Sequence, residues 1–312
     1  MKSKFTGALI GSAVGDALGA PVEGYSMKKV SSVYGKDWKM ISGRYTDDTE
    51  MMIGVAESLI ENKGFNGEDM ATRFIENYNP KRGYGPGSKE ALRRISEGES
   101  WKEASKKLFG GMGSYGNGAA MRIAPVGIFY YDDIDRLRET AYKSSHITHS
   151  HELGKEGAAL QAFSIALAMQ GRVKKEGMLL ELKEFVENEV YKEKIRKIEM
   201  FFEKVAEVDK KEVISELGSG EEAFNSVPTA IYSFIRADSF KDAVVYAVSL
   251  GGDTDTIGAM TGAISGAYYG EEAIPKEWVE RLEGGKKGKR YIRWLGEELY
   301  HIKLQLMQRD GW

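Results

Sequence analysis

Two short segments far apart in the chain carry the same chemistry. Thr46-Asp47-Asp48-Thr49 precedes the helical spacing Met51, Met52, Val55, Leu59. Asp253-Thr254-Asp255-Thr256 precedes a second apolar run. Each lies where a helix N-cap belongs, and Asp or Thr there satisfies free N–H groups and favours the helix dipole. One cap needs one such residue. Paired aspartates with flanking threonines at both helix starts exceed that need, and crowded carboxylates repel. Hard divalent cations explain the excess: Mg2+ and Mn2+ take oxygen ligands, and four converging carboxylates suit two ions. The chain has no cysteine, so thiolate metal sites and disulfides are excluded.

Other polar segments are weaker signals. Glu23 follows Asp16 beyond Pro21, on a turn, from which it can reach a metal, act as a mobile acid or base, or stand as a surface glutamate. Gly111-x-Gly113-x-x-Gly116 matches a dinucleotide fingerprint in form only. The residues before it read as helix, not strand, and no βαβ unit surrounds them. The same loop can present backbone N–H groups to a diphosphate, ahead of a helix starting near Ala119. Residues 82–88, RGYGPGS, form another glycine loop with an aromatic. His146, His149 and His151 cluster, but no HExxH partner exists. A histidine contacting an anion or ligand fits better than zinc.

The elements that must position these groups read as helices. Strand signals are scarce, and Phe74, Ile75, Tyr78 or Leu160, Phe163, Ile165, Leu167 show helical spacing. Glycine is abundant at 37 and proline rare at 6, which fits helices joined by glycine turns. Gly7, Gly11, Gly15 and Gly19 recur every fourth residue, as do Gly258, Gly262, Gly266 and Gly270. On a helix each set is a stripe without side chains. Each helical glycine costs about 1 kcal/mol against alanine, so another backbone should lie against the stripe. We expect both helices at the centre of the fold, packed on each other, bringing their acidic ends together. Neither segment has the ~20 uninterrupted apolar residues of a membrane span. Residues 176–217 predict one or two amphipathic surface helices, and residues 284–290, GGKKGKR, a solvated basic turn.

Composition sets the outer limits. With 312 residues, 42% hydrophobic and 29% charged, the chain can bury a large core as a single domain over 1–312. A net charge of −3 gives no reason to expect nucleic-acid or anionic-membrane binding. The N-terminus starts like a signal peptide, but Asp16 interrupts the small-residue run and no cleavage site follows. We expect a cytoplasmic protein.

Taken together, GALIGSAVGDALGAPVEG, YTDDTEMM, RGYGPG, GSYGNGAAMRIAPVG, THSHELG and LGGDTDTIGAMTGAISGA resemble the ADP-ribosylglycohydrolase family, of the dinitrogenase reductase-activating glycohydrolase and ADP-ribosyl-acceptor hydrolase type. The pieces run in family order over most of the chain, and the TDDT and GGDTDT motifs are specific in combination. The resemblance implies an all-α orthogonal fold with two divalent cations, Mg2+ or Mn2+. It makes Thr46, Asp47 and Asp48 one ligand set and Asp253, Asp255 and Thr256 the other. It places Glu23 on a mobile loop near the metals. It gives Gly113, Ser114, Tyr115, Gly116 and Asn117 to the loop holding phosphates and distal ribose, with His149 and Gly85 as further ligand contacts. The implied reaction releases ADP-ribose from an ADP-ribosylated protein or small molecule, with Asp255 or Glu23 as the base. The acceptor is open, and a monomer is favoured. Two other readings remain: a non-catalytic ADP-ribose-binding module, and a dinuclear hydrolase of another substrate such as a phosphoester.

Overall fold

The two glycine stripes meet face to face. In the computed structural model, which describes residues 1–171, 174–204 and 208–309, they lie on the helices Lys2–Gly19 and Thr254–Tyr269. A methyl group at Gly7 would stand 2.5 Å from the Gly266 carbonyl oxygen, at Gly11 2.3 Å from that of Gly262, and at Gly15 1.9 Å from that of Gly258. The pairing order makes the helices antiparallel and their contact backbone to backbone. Only glycine permits that approach. Gly270 is not the fourth member of its stripe. It lies past the helix end with φ of 84°, where its N–H caps Gly266. Gly19 does continue the first stripe, against the Thr254 carbonyl.

This pairing has a direct consequence for chemistry. The C-terminal end of the first helix, carrying Asp16 and leading to Glu23, abuts the N-terminal end of the second, carrying Asp253 and Asp255. Thr254 fastens the junction by donating its hydroxyl to the Gly19 carbonyl at 3.0 Å.

Other helices enclose the pair. Glu152–Gln170 and Ala223–Ile235 pack on Thr254–Tyr269 and on each other, while Asp47–Asn62 and Lys289–Arg309 pack on Lys2–Gly19. Glu152–Gln170 is buried almost throughout, so it needs no polar face. The described residues contain 17 α-helices and no strand. Their pairing outside helices includes two isolated bridges, Ser26 with Gly251 and Gly116 with Glu222.

Three expectations differ in detail. The described residues of 176–217 hold three α-helices, Met178–Phe185, Glu189–Glu203 and Lys210–Glu216. Asn188 and Asp209 cap the later two, and these caps restart the chain where one amphipathic pattern ran through. The basic run at 284–290 is not wholly solvated, because Lys287 pairs with Glu57 and donates to Asn77. Finally, Lys2–Val22 is by length and composition apolar enough to cross a membrane, although Asp16 interrupts its apolar run. In this fold 89% of that window is buried inside the protein.

Candidate active site

Asp16 organises the first acidic segment. Its buried carboxylate accepts from the Thr46 N–H at 2.9 Å and the Thr49 N–H at 3.1 Å, and from the Thr49 hydroxyl at 2.5 Å. The helix Asp47–Asn62 is thus capped from another helix, while Thr46 Oγ1 accepts from the Asp48 N–H at 3.3 Å. With these donors satisfied, Asp47 and Asp48 are free to face elsewhere. Glu50, in the same turn, turns away from them. It accepts from Asn79 N–H at 2.8 Å and Tyr84 O–H at 2.9 Å, which anchors the 82–88 glycine loop.

The second acidic segment is held by loops. Gly24 N–H donates to Gly252 O at 2.8 Å, and Gly252 N–H to Tyr25 O at 2.9 Å, so the Glu23 turn is clamped to the turn before Asp253. Gly251 and Gly252 take φ of 75° and 79°, which side chains rarely adopt. Asp253 Oδ2 accepts from Asn117 Nδ2 at 2.6 Å, and Asn117 also donates to Ser226 at 3.0 Å. Asp255 Oδ1 accepts from Thr256 N–H at 3.0 Å.

One cleft of about 430 Å³ collects these groups. Glu23, Thr46, Asp47, Asp48, Asp253, Asp255 and Thr256 line it, together with Gly85, Ser114, Gly116, Asn117 and His149. Glu23, Glu221 and Asp253 also border a second cavity of about 370 Å³, which Glu222 lines as well. Two of the sequence-derived residues lie outside the cleft lining. Gly113 packs on Ser150 and His151, where an added methyl would meet Ser150 Oγ at 2.3 Å. Tyr115 turns outward, edge-on to His151, with ring centroids 5.5 Å apart.

The glycine-rich loop differs from its sequence reading in two ways. Residues Asn117–Ala119 form a single 3-10 turn, and the α-helix starts only at Ala124. The Asn117 N–H is spent on Glu221 O at 2.9 Å, and the Gly116 N–H on Ser114 Oγ at 3.2 Å. Side chains, more than these two amides, face the cleft.

Residues 1–308 match the family model described as ADP-ribosylglycohydrolase. The chain belongs to the ADP-ribosylglycohydrolase family. ADP-ribosylhydrolase ARH3 of Xenopus tropicalis is 35% identical, over 98% of this chain and 97% of its own. ADP-ribosylhydrolase ARH3 of Homo sapiens is also 35% identical, over 90% of each chain. The solved structure of an "ADP-ribosylglycohydrolase-related protein complex" superposes with a TM-score of 0.74 at 29% identity, covering 97% of this chain and 98% of that one. As a member of this ADP-ribosylglycohydrolase family, the chain is a glycohydrolase enzyme.

The electrostatics of this ADP-ribosylglycohydrolase cleft are those of crowded, buried carboxylates, whose charged forms are disfavoured. Burial first, then the Asp16 charge, pushes Asp47 up to about 8. Asp48 is raised well above the carboxylate range by burial and then by Asp16 and Asp47, and Asp255 by burial and then by Asp48 and Asp253. Asp16 itself rises only to about 6, because the Thr49 and Thr46 hydrogen bonds offset its burial. Desolvation, then Asp253 and Glu221, raises Glu23. Asp48 Oδ2 is buried and accepts no hydrogen bond from the protein. An orphaned carboxylate oxygen among raised aspartates is the donor set a hard cation fits. Among the described residues, no three acidic or histidine side chains close on one point tightly enough to enclose an ion. Repulsion favours that spread.

Sequence reasoning overlooked Phe109 and undervalued Asp16 and Asn117. Phe109 lines the cleft, is 53% exposed, and has a backbone φ of 51°. Non-glycine residues hold that conformation at a cost. The glycines following Phe109 were the available signal.

Proposed function

We propose that this enzyme is a divalent-cation-dependent hydrolase that cleaves the glycosidic bond between ADP-ribose and an acceptor, releasing ADP-ribose. The observation carrying this reading is one cleft in which two helix starts, distant in sequence, bring four aspartates together with a polar loop and a histidine. Thr46, Asp47, Asp48, Asp253, Asp255 and Thr256 would hold Mg2+ or Mn2+, which when bound neutralises the carboxylates, fixes the ribose hydroxyls and promotes water ionisation.

The chain's own residues divide the remaining work. Ser114 and His149 offer donors to phosphate and ribose oxygens, and the exposed Phe109 ring offers a flat face for a base. Asn117 holds Asp253 in place. Glu23 stands between the two cavities. ADP-ribose occupies the larger and the acceptor the smaller, so the scissile bond passes Glu23. A water oxygen attacks C1″, the bond to the acceptor breaks through an oxocarbenium-like state, and the acceptor leaves with a proton. Glu23, or Asp255 if the cations leave it basic enough, receives the proton of the attacking water and returns it to the leaving acceptor, so one water is divided between C1″ and the acceptor.

The test is a panel of ADP-ribosylated acceptors, with serine, arginine and small-molecule linkages, incubated with Mg2+ or Mn2+ and with a chelator. Cation-dependent release of ADP-ribose from at least one acceptor supports the reading. Tight ADP-ribose binding without release from any acceptor would make the protein a binding module instead.

A further inference from the structure

Arg122 is wholly buried and does not line the cleft, yet among the described residues no carboxylate pairs with it. Its Nη1 donates to Thr148 Oγ1 at 2.8 Å and its Nη2 to the Ser144 carbonyl at 2.9 Å, while its guanidinium lies 4.6 Å from the Phe74 ring centroid. A buried cation with no carboxylate paired to it is costly, even with the Asp47 charge acting on it from farther off, and so asks for a purpose. Thr148 passes the contact on. Its Oγ1 lies 2.7 Å from His149 Nδ1.

Hydrogen-bond accounting fixes the direction of this chain. A guanidinium only donates, so the Thr148 oxygen accepts from Arg122. The Thr148 hydroxyl is fully buried, and among the described residues its proton has one acceptor in reach, His149 Nδ1. An imidazole that accepts at Nδ1 carries its proton on Nε2. We infer that Arg122, acting through Thr148, is a positioning residue that holds His149 as the Nε2–H tautomer and makes it a fixed donor to the anionic ligand of the cleft. Two glycines keep that nitrogen clear. A methyl at Gly118 would stand 2.9 Å from Nε2, and one at Gly116 3.5 Å. Burial, and then the Arg122 charge, holds the imidazole down at about 3, so it stays neutral at ordinary pH. Its ligand contact therefore does not switch with pH.

The ligand's identity rests on the proposed function, whereas the tautomer does not. The protein has four histidines, so 15N-histidine NMR resolves each ring, and His149→Gln assigns one of them. The expected wild-type spectrum shows His149 protonated at Nε2 only, with a hydrogen-bonded bare Nδ1, unchanged from pH 5 to 8. Thr148→Val removes the hydroxyl at nearly constant shape, and Thr148→Ser keeps it. The valine variant should lose the single tautomer and bind ADP-ribose up to about tenfold more weakly, as for one neutral hydrogen bond. The serine variant should retain both properties, with folding of each checked by circular dichroism. A wild-type His149 protonated at Nδ1 would overturn the inference. So would a valine variant with the wild-type imidazole spectrum and wild-type ADP-ribose affinity. If the wild type does not bind ADP-ribose at all, the functional reading fails while the spectrum still decides the tautomer.

Discussion

Gly15→Ala adds one methyl group at one of the closest contacts of the helix pair that brings the acidic ends together. That carbon would sit 1.9 Å from the Gly258 carbonyl oxygen and 2.8 Å from the Ala259 nitrogen. Ordinary contact begins near 3.4 Å, so the helices would have to part by about 1.5 Å. Both obstructing groups are backbone, so no rotamer change relieves the clash. Overpacking a tight core costs about 1–3 kcal/mol, and here the upper end applies. Alanine's better helix propensity returns about 1 kcal/mol. The net expectation is a loss of about 2 kcal/mol or more, measured by urea denaturation in chelator. Gly284→Ala is the control: nothing lies within 4 Å of its added methyl, and the change should stay within about 0.5 kcal/mol. Calorimetry should also show weaker Mg2+ or Mn2+ binding by Gly15→Ala, since parting the helices moves Asp16 and Glu23 away from Asp253 and Asp255. A Gly15→Ala protein as stable as the wild type, or more so, would refute the backbone contact.

The remaining predictions concern charge in the cleft. Asp47 has its folded-state value raised to about 8, so its stability contribution is complete below the unfolded value near 4 and is lost as pH rises through about 8. Thermal melts in chelator should therefore fall from pH 5 to pH 9, and added Mn2+ should restore more stability at pH 8 than at pH 5; a melting temperature that climbs with pH in chelator would oppose this. Asp48→Asn removes a buried, repelled charge, so it should raise the metal-free melting temperature and abolish tight cation binding, both read by melts with and without Mn2+. Asp16→Ala should destabilise by about 2–4 kcal/mol in urea titrations, because three donors on Thr46 and Thr49 lose their acceptor. Asn117→Ala frees Asp253 and should weaken cation affinity about tenfold or more by calorimetry, as loss of a group that orients a ligand does.

The glycine spacing made the central helix pair legible, because a four-residue repeat on a helix has few other uses. The acidic segments were legible as excess beyond capping. What the sequence hid was the partner of each polar group. Asp16 looked like an interruption of an apolar run, yet its carboxylate caps a helix 30 residues on. Asn117 looked like one more loop residue for a ligand, yet it reaches Asp253, 136 positions away. Such bonds depend on how helices cross, and local spacing carries no record of it. Phe109 was absorbed into an expected helix end, since left-handed backbone leaves no mark on a residue type. The division of 176–217 into three helices followed from caps at Asn188 and Asp209, which the amphipathic period overran.

The central claim is that the carboxylates of this cleft perform chemistry and are more than helix caps. The most direct measurement is kcat for ADP-ribose release by Asp255→Ala and wild type, on one ADP-ribosylated substrate at saturating Mg2+ or Mn2+, with folding checked by circular dichroism. Loss of cation-assisted water activation costs several kcal/mol in the transition state, so kcat should fall by about a thousandfold or more. A folded Asp255→Ala enzyme with near-normal kcat would contradict the account and leave the aspartates as caps.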